Sequence, residues 1–266
     1  MDGSLSTAGL RQVTAGALAR TSALYLTTTT VVLGPEGACL VVDPAVTPSE
    51  LASLAAELGR RRLRPAVGFS THPHWDHLLW APELGPVPRW ATADAVAVAE
   101  KGRAQLLSEM GSEAPGHDPA LFAMAQALPR GAVTVPWAGP EARVVAHAGH
   151  APGHAALFVA GLGLLLAGDM CSDVEIPLLD LTSADPVGDY RTGLDALGSL
   201  GGVAFVVPGH GHPYPGAWLR ARLDADRRYL DDLEAGKPLA DPRGEPPWLT
   251  GAHEAHLRRL RDLGAL

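Results

Sequence analysis

The segment His72-Pro73-His74-Trp75-Asp76-His77 constrains this chain more than any other. It sets three imidazoles and a carboxylate at i, i+2, i+4 and i+5, the donor types that a borderline divalent ion such as zinc accepts. Strand-like alternation puts His72, His74 and Asp76 on one side, and a turn at a strand end brings His77 round to join them. A structural zinc closes with four residues drawn from two segments, so four donors in one short segment exceed its needs. The crowding points to two ions and to chemistry.

The rest of the chain sets the frame. At 266 residues with 47% apolar content, it is expected to form one domain over 1–266 with a sizeable core. A motif-bearing core is expected over 38–215 and a C-terminal helical extension over 216–266. The net charge of −8 argues against nucleic acid, whose binders carry a basic patch or stripe. Two cysteines, Cys39 and Cys171, make no disulfide framework, so a reducing compartment is the default. The first 20 residues hold no apolar core of signal-peptide type. The longest uncharged apolar run, Ala155 to Gly168, is broken by Gly161 and Gly163 and is too short to span a bilayer. A cytoplasmic location with no membrane partner is expected.

Strands and helices alternate. Strands are expected over Ala23–Leu33, Ala38–Val42, Pro65–Ser70, Val87–Ala91, Val144–His147, Ala155–Val159, Leu164–Ala167 and Val203–Val207. Helices are expected after an N-cap at Ser49, over Asp94–Met110, in a short stretch over Ala120–Leu128, over Asp185–Leu200 and over Ala217–Glu234. Pro238 to Pro247 reads as a tether before a last short helix. The His-rich segment falls at the C-terminal end of a strand, where ligands gather in α/β proteins.

Further donors also fall at strand ends. His150 sits in Gly149-His150-Ala151-Pro152-Gly153-His154, Asp169 ends the apolar run Leu164 to Gly168, and His210 lies in Pro208-Gly209-His210-Gly211. Glycine lets the backbone turn sharply and bring an imidazole close to an ion. A buried apolar strand ending in Gly-Asp delivers a carboxylate to a fixed point. His154 and His212 read as neighbours rather than ligands, and His117, His147, His253 and His256 as ordinary residues. Cys171 reads as a small buried residue. Trp75 and Trp80 suit either the core or a substrate mouth.

HxHxDH, a His in a Gly-His-x-Pro-Gly-His turn, Gly-Asp and Pro-Gly-His-Gly together resemble the metallo-β-lactamase superfamily of metal-dependent hydrolases. The intervals fit in order: 73 residues from His77 to His150, 19 on to Asp169 and 41 on to His210. The resemblance covers about Ala38 to Pro215. It implies an α/β fold, a four-layer αββα sandwich with the metal site at one edge of the sheets. It also implies a first metal site of His72, His74 and His150, a second of Asp76, His77 and His210, and Asp169 bridging both. Asp43, after the strand Leu40 to Val42, matches the family's early structural aspartate. The implied cofactors are two divalent ions, zinc first, with iron or manganese as alternatives. Metal binding lowers the pKa of water from 15.7 to about 7, which supplies a hydroxide nucleophile at neutral pH. Asp76 would hold the second ion and orient that hydroxide, the catalytic role.

The segment Thr71 to His77 is similar to the branch containing glyoxalase II and acyl-homoserine-lactone lactonases. The expected partner is a small-molecule ester, thioester or lactone. The chain departs from both patterns. Ser172 stands where the lactonases carry a tyrosine, and Arg258, Arg259 and Arg261 do not form the glutathione-gripping motif. The rival reading on the same scaffold is a mononuclear-iron persulfide dioxygenase. The segment Asp94 to Arg130 is expected to form part of a lid or pocket wall. Oligomeric state is left open.

Overall fold

A computed structural model describes residues 9–266. Residues 1–8, part of the stretch read for a signal segment, lie outside it. The first sheet holds seven strands in sequence order: β1 (Arg11–Thr14), β2 (Ala17–Thr21), β3 (Thr28–Leu33), β4 (Ala38–Val42), β5 (Arg64–Phe69), β6 (Arg89–Ala91) and β7 (Gln126–Ala127). β1 to β4 pair antiparallel, and β4 to β7 pair parallel. The parallel pairs need crossovers, which α1 (Pro48–Arg60) supplies between β4 and β5 and α2 (Ala93–Glu113) between β6 and β7. The second sheet has β8 (Arg143–Ala146), β9 (Ala155–Val159), β10 (Leu164–Gly168), β11 (Phe205–Pro208) and β12 (Tyr214–Pro215), in the spatial order 12-11-10-9-8. Here α3 (Pro186–Gly198) bridges the parallel pair β10 and β11, and α4 (Leu219–Glu234) and α5 (Pro247–Asp262) follow.

Strand parity explains the layering. In β3 and β4, Val32, Leu40 and Val42 face the second sheet, while Val31, Cys39 and Val41 face α1 and α2. In β9 and β10, Leu157, Val159, Leu164 and Leu166 point inward, while Ala156, Phe158, Leu165 and Ala167 meet α3, α4 and α5. Both parities are buried, so these strands read as continuous apolar runs rather than alternating ones. Two sheets with two apolar faces each require four layers. Each fully buried Leu or Val contributes about 1.5–3 kcal/mol relative to exposure.

The structure moves several expected elements. The strand expected from Ala23 begins only at Thr28, because Tyr25 and Leu26 take left-handed backbone angles (φ 58° and 55°) in a turn. The N-cap of α1 is Thr47, not Ser49: its Oγ1 accepts the Glu50 N–H and its own N–H donates to Glu50 Oε2. The helix expected over 120–128 is absent. Ala123 has φ 50° and donates its N–H to Leu78 O, and Gln126–Ala127 pairs with β6 instead. Strands β1, β2 and β12 were not expected from the sequence.

The C-terminal elements are an outer layer of the sandwich. Leu223, Leu230 and Leu233 of α4 and Leu249 and Leu260 of α5 share one core with β9, β10 and α3. Arg243 locks the tether between α4 and α5. It is buried, lies 2.7 Å from Asp226 and 2.8 Å from Asp241, and donates to Ser172 O at 3.1 Å. Breaking such a buried pair from one side costs about 3–5 kcal/mol. The last helix runs 16 residues and is not short.

Buried His256 on α5 gives the fold a pH dependence. Burial, aided by neighbouring His253, pulls it down to about 4. An unfolded imidazole titrates near 6.5. The unfolded chain therefore binds the extra proton between those values, so the stability from neutral His256 is full above about pH 6.5 and fades as pH falls towards 4. His256→Gln should lose less stability than the wild type when urea midpoints are compared at about pH 7.5 and about pH 4.5. Equal losses in the two proteins would contradict this assignment.

Candidate metal centre

Four strands of the two sheets deliver the expected donors to one edge. His72 and His74 follow β5, and Asp76 and His77 occupy a single 3-10 turn, Trp75–His77. His150 lies beyond β8, Asp169 follows β10 directly, and His210 follows β11. Two donor groups result: His72, His74, His150 and Asp169, and Asp76, His77 and His210, each with its candidate atoms within 4.8 Å of one another. Asp169 links the groups. Its Oδ2 lies 3.4 Å from His72 Nε2, 3.4 Å from His150 Nε2 and 3.1 Å from His210 Nε2, and its Oδ1 lies 3.3 Å from His77 Nε2.

Contacts at the far side of four of the rings place a proton on Nδ1. A backbone carbonyl can only accept, so His150 Nδ1–H donates to Leu178 O (2.9 Å) and His210 Nδ1–H to Tyr25 O (2.8 Å). His77 Nδ1 faces the Asp43 carboxylate at 3.0 Å. The Thr71 hydroxyl gives its one proton to Asp43 Oδ2 (2.7 Å), so at 3.0 Å it accepts from His72 Nδ1–H. All four Nε2 atoms therefore converge on one carboxylate, where each can give its lone pair to an ion or hold a proton.

Ring nitrogens also face one another across the site. His77 Nε2 and His210 Nε2 are 3.2 Å apart, and His150 Nε2 and His74 Nδ1 are 3.0 Å apart. Buried His72 Nε2 and Asp169 Oδ1 have no hydrogen-bond partner. Such an array calls for positive charge among its donors, and neutral imidazole with carboxylate suits a borderline divalent ion. The residues fit a metal pair.

The fields agree. Burial pulls His210 down, but Asp169, Glu175 and Asp76 outweigh it and push the ring up to about 10. His77 is held well above its ordinary value in the same way by Asp169, Asp76 and Asp43. Burial and His74 press His150 down to about 3. Burial raises Asp76 and Asp169, yet the surrounding imidazoles hold both well below the carboxylate range. Cations are wanted here.

Asp169 is itself placed by two neighbours. Its N–H donates to His154 Nε2 at 3.1 Å, and His154 falls in neither donor group. Gly168 has φ 57°, and a Cβ there would collide with that imidazole. His212 is exposed and pairs with Asp173 at 3.0 Å. Asp43 has a bracing role, joining His77 to Thr71.

A cleft of about 300 Å³ opens over the donors. His74, the exposed donor, stands at its mouth with Asp76, His150, Asp169 and His210. Its walls are Tyr25, Leu178, Leu181 and Trp248, with Glu175 and Asp180 as the added acids. Burial pushes Glu175 up to about 7. The expectation that residues 94–130 wall the pocket is not met; that segment reaches it only through Glu113, which accepts from the Tyr25 hydroxyl at 2.7 Å. Trp75 and Trp80 are core residues. Cys171 is fully buried, and burial raises its thiol well above the ordinary value.

Sequence reasoning missed Tyr25, Leu178 and Trp248. The first two act on the rings through backbone carbonyls, which leave no mark in a sequence. Trp248, an exposed aromatic in a Pro-rich approach to a helix, was the one available signal.

Comparison with known proteins agrees with this fold. The family profile described as the metallo-beta-lactamase superfamily covers residues 25–237. No curated protein matches the chain by sequence. Among solved structures, a metallo-beta-lactamase family protein of Thermus thermophilus is 23% identical with a TM-score of 0.66, covering 94% of each chain. A stereoselective inverting secondary alkylsulfatase of Pseudomonas sp. is 14% identical with a TM-score of 0.71, covering 95% of this chain and 50% of its own. A protein solved in a di-iron-bound form is 24% identical with a TM-score of 0.60, covering 77% of this chain and 97% of its own. These likenesses show a shared fold. With 213 of its 266 residues inside the family profile and its HxHxDH, Gly-Asp and Pro-Gly-His-Gly segments gathered at one sheet edge, the chain belongs to the metallo-beta-lactamase superfamily.

Proposed function

We propose that this chain is a dinuclear metal-dependent hydrolase, zinc-loaded, that cleaves a small ester, thioester or lactone. The observation that carries the reading is Asp169, whose two oxygens face four imidazole nitrogens from both donor groups. His72, His74 and His150 would hold one ion, Asp76, His77 and His210 the other, and Asp169 both. Bound there, a divalent pair supplies Lewis acidity and ionises water near neutral pH.

The chain's own groups do the positioning. Thr27 Oγ1 donates to Asp76 Oδ2 at 3.0 Å, which fixes the carboxylate that faces the cleft and can orient a water and take its proton. Leu178, Leu181, Tyr25 and Trp248 offer an apolar wall for the acyl part and exclude water from it. No Lys or Arg lines the cleft among the described residues, and Glu175 and Asp180 are acidic. An anionic tail therefore meets no Lys or Arg. That favours neutral carbonyl compounds over a sulfated substrate such as the alkylsulfatase relative's name implies. The net charge of −8 disfavours nucleic acid in the same way. Among the described residues, no helix is long and apolar enough to cross a membrane.

Elemental analysis of the purified protein should find about two divalent ions per chain, and chelation should abolish activity. His150→Ala and His210→Ala should lower occupancy, while His212→Ala, at an exposed site, should keep both ions. One iron per chain with no zinc would overturn the hydrolase reading and favour a persulfide dioxygenase.

Asp76→Ala should reduce kcat by at least ~10²-fold with an unchanged circular dichroism spectrum, the loss expected for a preorganised catalytic group. Near-native turnover by a folded, metal-loaded variant would remove Asp76 from the mechanism.

A panel of neutral esters, thioesters and lactones tests the substrate class. At least one should turn over, with a rate rising through an apparent pKa of about 7, and RNA and DNA should not. Nuclease turnover with no activity on the panel would refute the assignment.

A further inference from the structure

A second set of histidines lies outside the metal centre and is joined to it. Tyr229 of α4 and His253 and His256 of α5 are buried together, at 4%, 4% and 3% exposure. Their hydrogen bonds leave one consistent direction. His253 Nε2 meets Lys237 O at 3.1 Å, and a carbonyl only accepts, so Nε2 carries the proton and Nδ1 is bare. The Tyr229 hydroxyl, 3.2 Å from that Nδ1, donates to it. Tyr229 must then accept from His256 Nδ1–H, at 2.8 Å. His256 Nε2 is left bare, and it accepts the N–H of Leu179 at 3.2 Å.

That N–H belongs to the peptide group whose carbonyl is Leu178 O. The same carbonyl accepts His150 Nδ1–H at 2.9 Å. One rigid peptide plane thus lies between two imidazoles, accepting from a donor of the metal centre on one side and donating to His256 on the other. The full chain runs His150, the Leu178–Leu179 peptide, His256, Tyr229, His253 and Lys237 O. Every proton points the same way along it, and bonds aligned in this manner polarise one another. Burial keeps His256 low, at about 4, so its Nε2 remains an acceptor at neutral pH.

We infer that His256 is a positioning residue for His150: through the Leu178–Leu179 peptide it sets the ring's tautomer, orientation and basicity, so the C-terminal layer tunes one ion of the metal centre. This rests on the reading of His150 as a metal ligand. Partners that accept the far N–H of a ligating histidine raise its basicity, and their loss weakens metal binding by about 10–100-fold. His256 is one step further out and acts on the carbonyl that accepts. Gln can restore both bonds, because its amide oxygen accepts and its NH₂ donates. Leu can do neither.

The test compares full-length wild type, His256→Leu and His256→Gln. Zinc affinity is read by competition with a chromophoric chelator, the His150 tautomer in the metal-free protein by ¹⁵N imidazole shifts, and folding by circular dichroism. In His256→Leu, one of the two ions should bind about 10-fold more weakly and the other should change little. The Nδ1–H form of metal-free His150 should also lose population. His256→Gln should recover affinity to within about threefold of wild type. Unchanged affinity for both ions in folded His256→Leu overturns the inference, as does a Gln variant no better than Leu. Should His256→Leu fail to fold, Tyr229→Phe takes its place: it removes the hydroxyl alone and should weaken the same ion about threefold or more, and no change overturns the inference. A wild type that binds no zinc refutes the hydrolase reading instead, and the ¹⁵N tautomer of His150 then decides the inference by itself.

Discussion

Four imidazole nitrogens aimed at one carboxylate form an arrangement that calls for positive charge among them. Asp169 sits at its centre, within 3.1–3.4 Å of His72, His77, His150 and His210. Each ring reaches that point because its other nitrogen is anchored, to a carbonyl, a carboxylate or a hydroxyl. The sandwich exists to hold these anchors still. Strands buried on both faces fix where each chain segment leaves its sheet, and the donors lie within a few residues of those exits.

The anchors come from unexpected places. Tyr25 O lies in a turn with two left-handed residues, and Leu178 O in a loop before α3. Both residues also wall the cleft. The segments that orient the metal donors thus shape the space where a substrate lies, so a change in either loop acts on binding and on the metal together.

The donors were legible in the sequence because chemistry of this density at strand ends has few other uses. The buried strands were legible for a similar reason: Ala38–Val42 and Ala155–Val159 are short apolar runs between turn signals, and both stand as read. Other features were hidden. The Thr47 cap was readable, since Thr-Pro-Ser-Glu is a capping-box pattern, but Ser49 competed with it. Residues 120–128 have helical composition, yet pairing of Gln126–Ala127 with β6 overrides it. The tautomers depend on backbone carbonyls brought together by tertiary structure. His253 and His256 read as ordinary because nothing local says that a tyrosine from α4 lies between them.

The two sheets also end quietly. β7 is two residues long, and β12 is two residues long and finishes on Pro215, which has no N–H to offer a passing strand. At the opposite margins, Arg11 and Gln12 of β1 and Arg143 of β8 are exposed polar side chains on otherwise apolar sheets. Such edges give another chain little to pair with. A sandwich whose inner strands are apolar on both faces thus ends at margins that leave few open backbone donors for a passing strand.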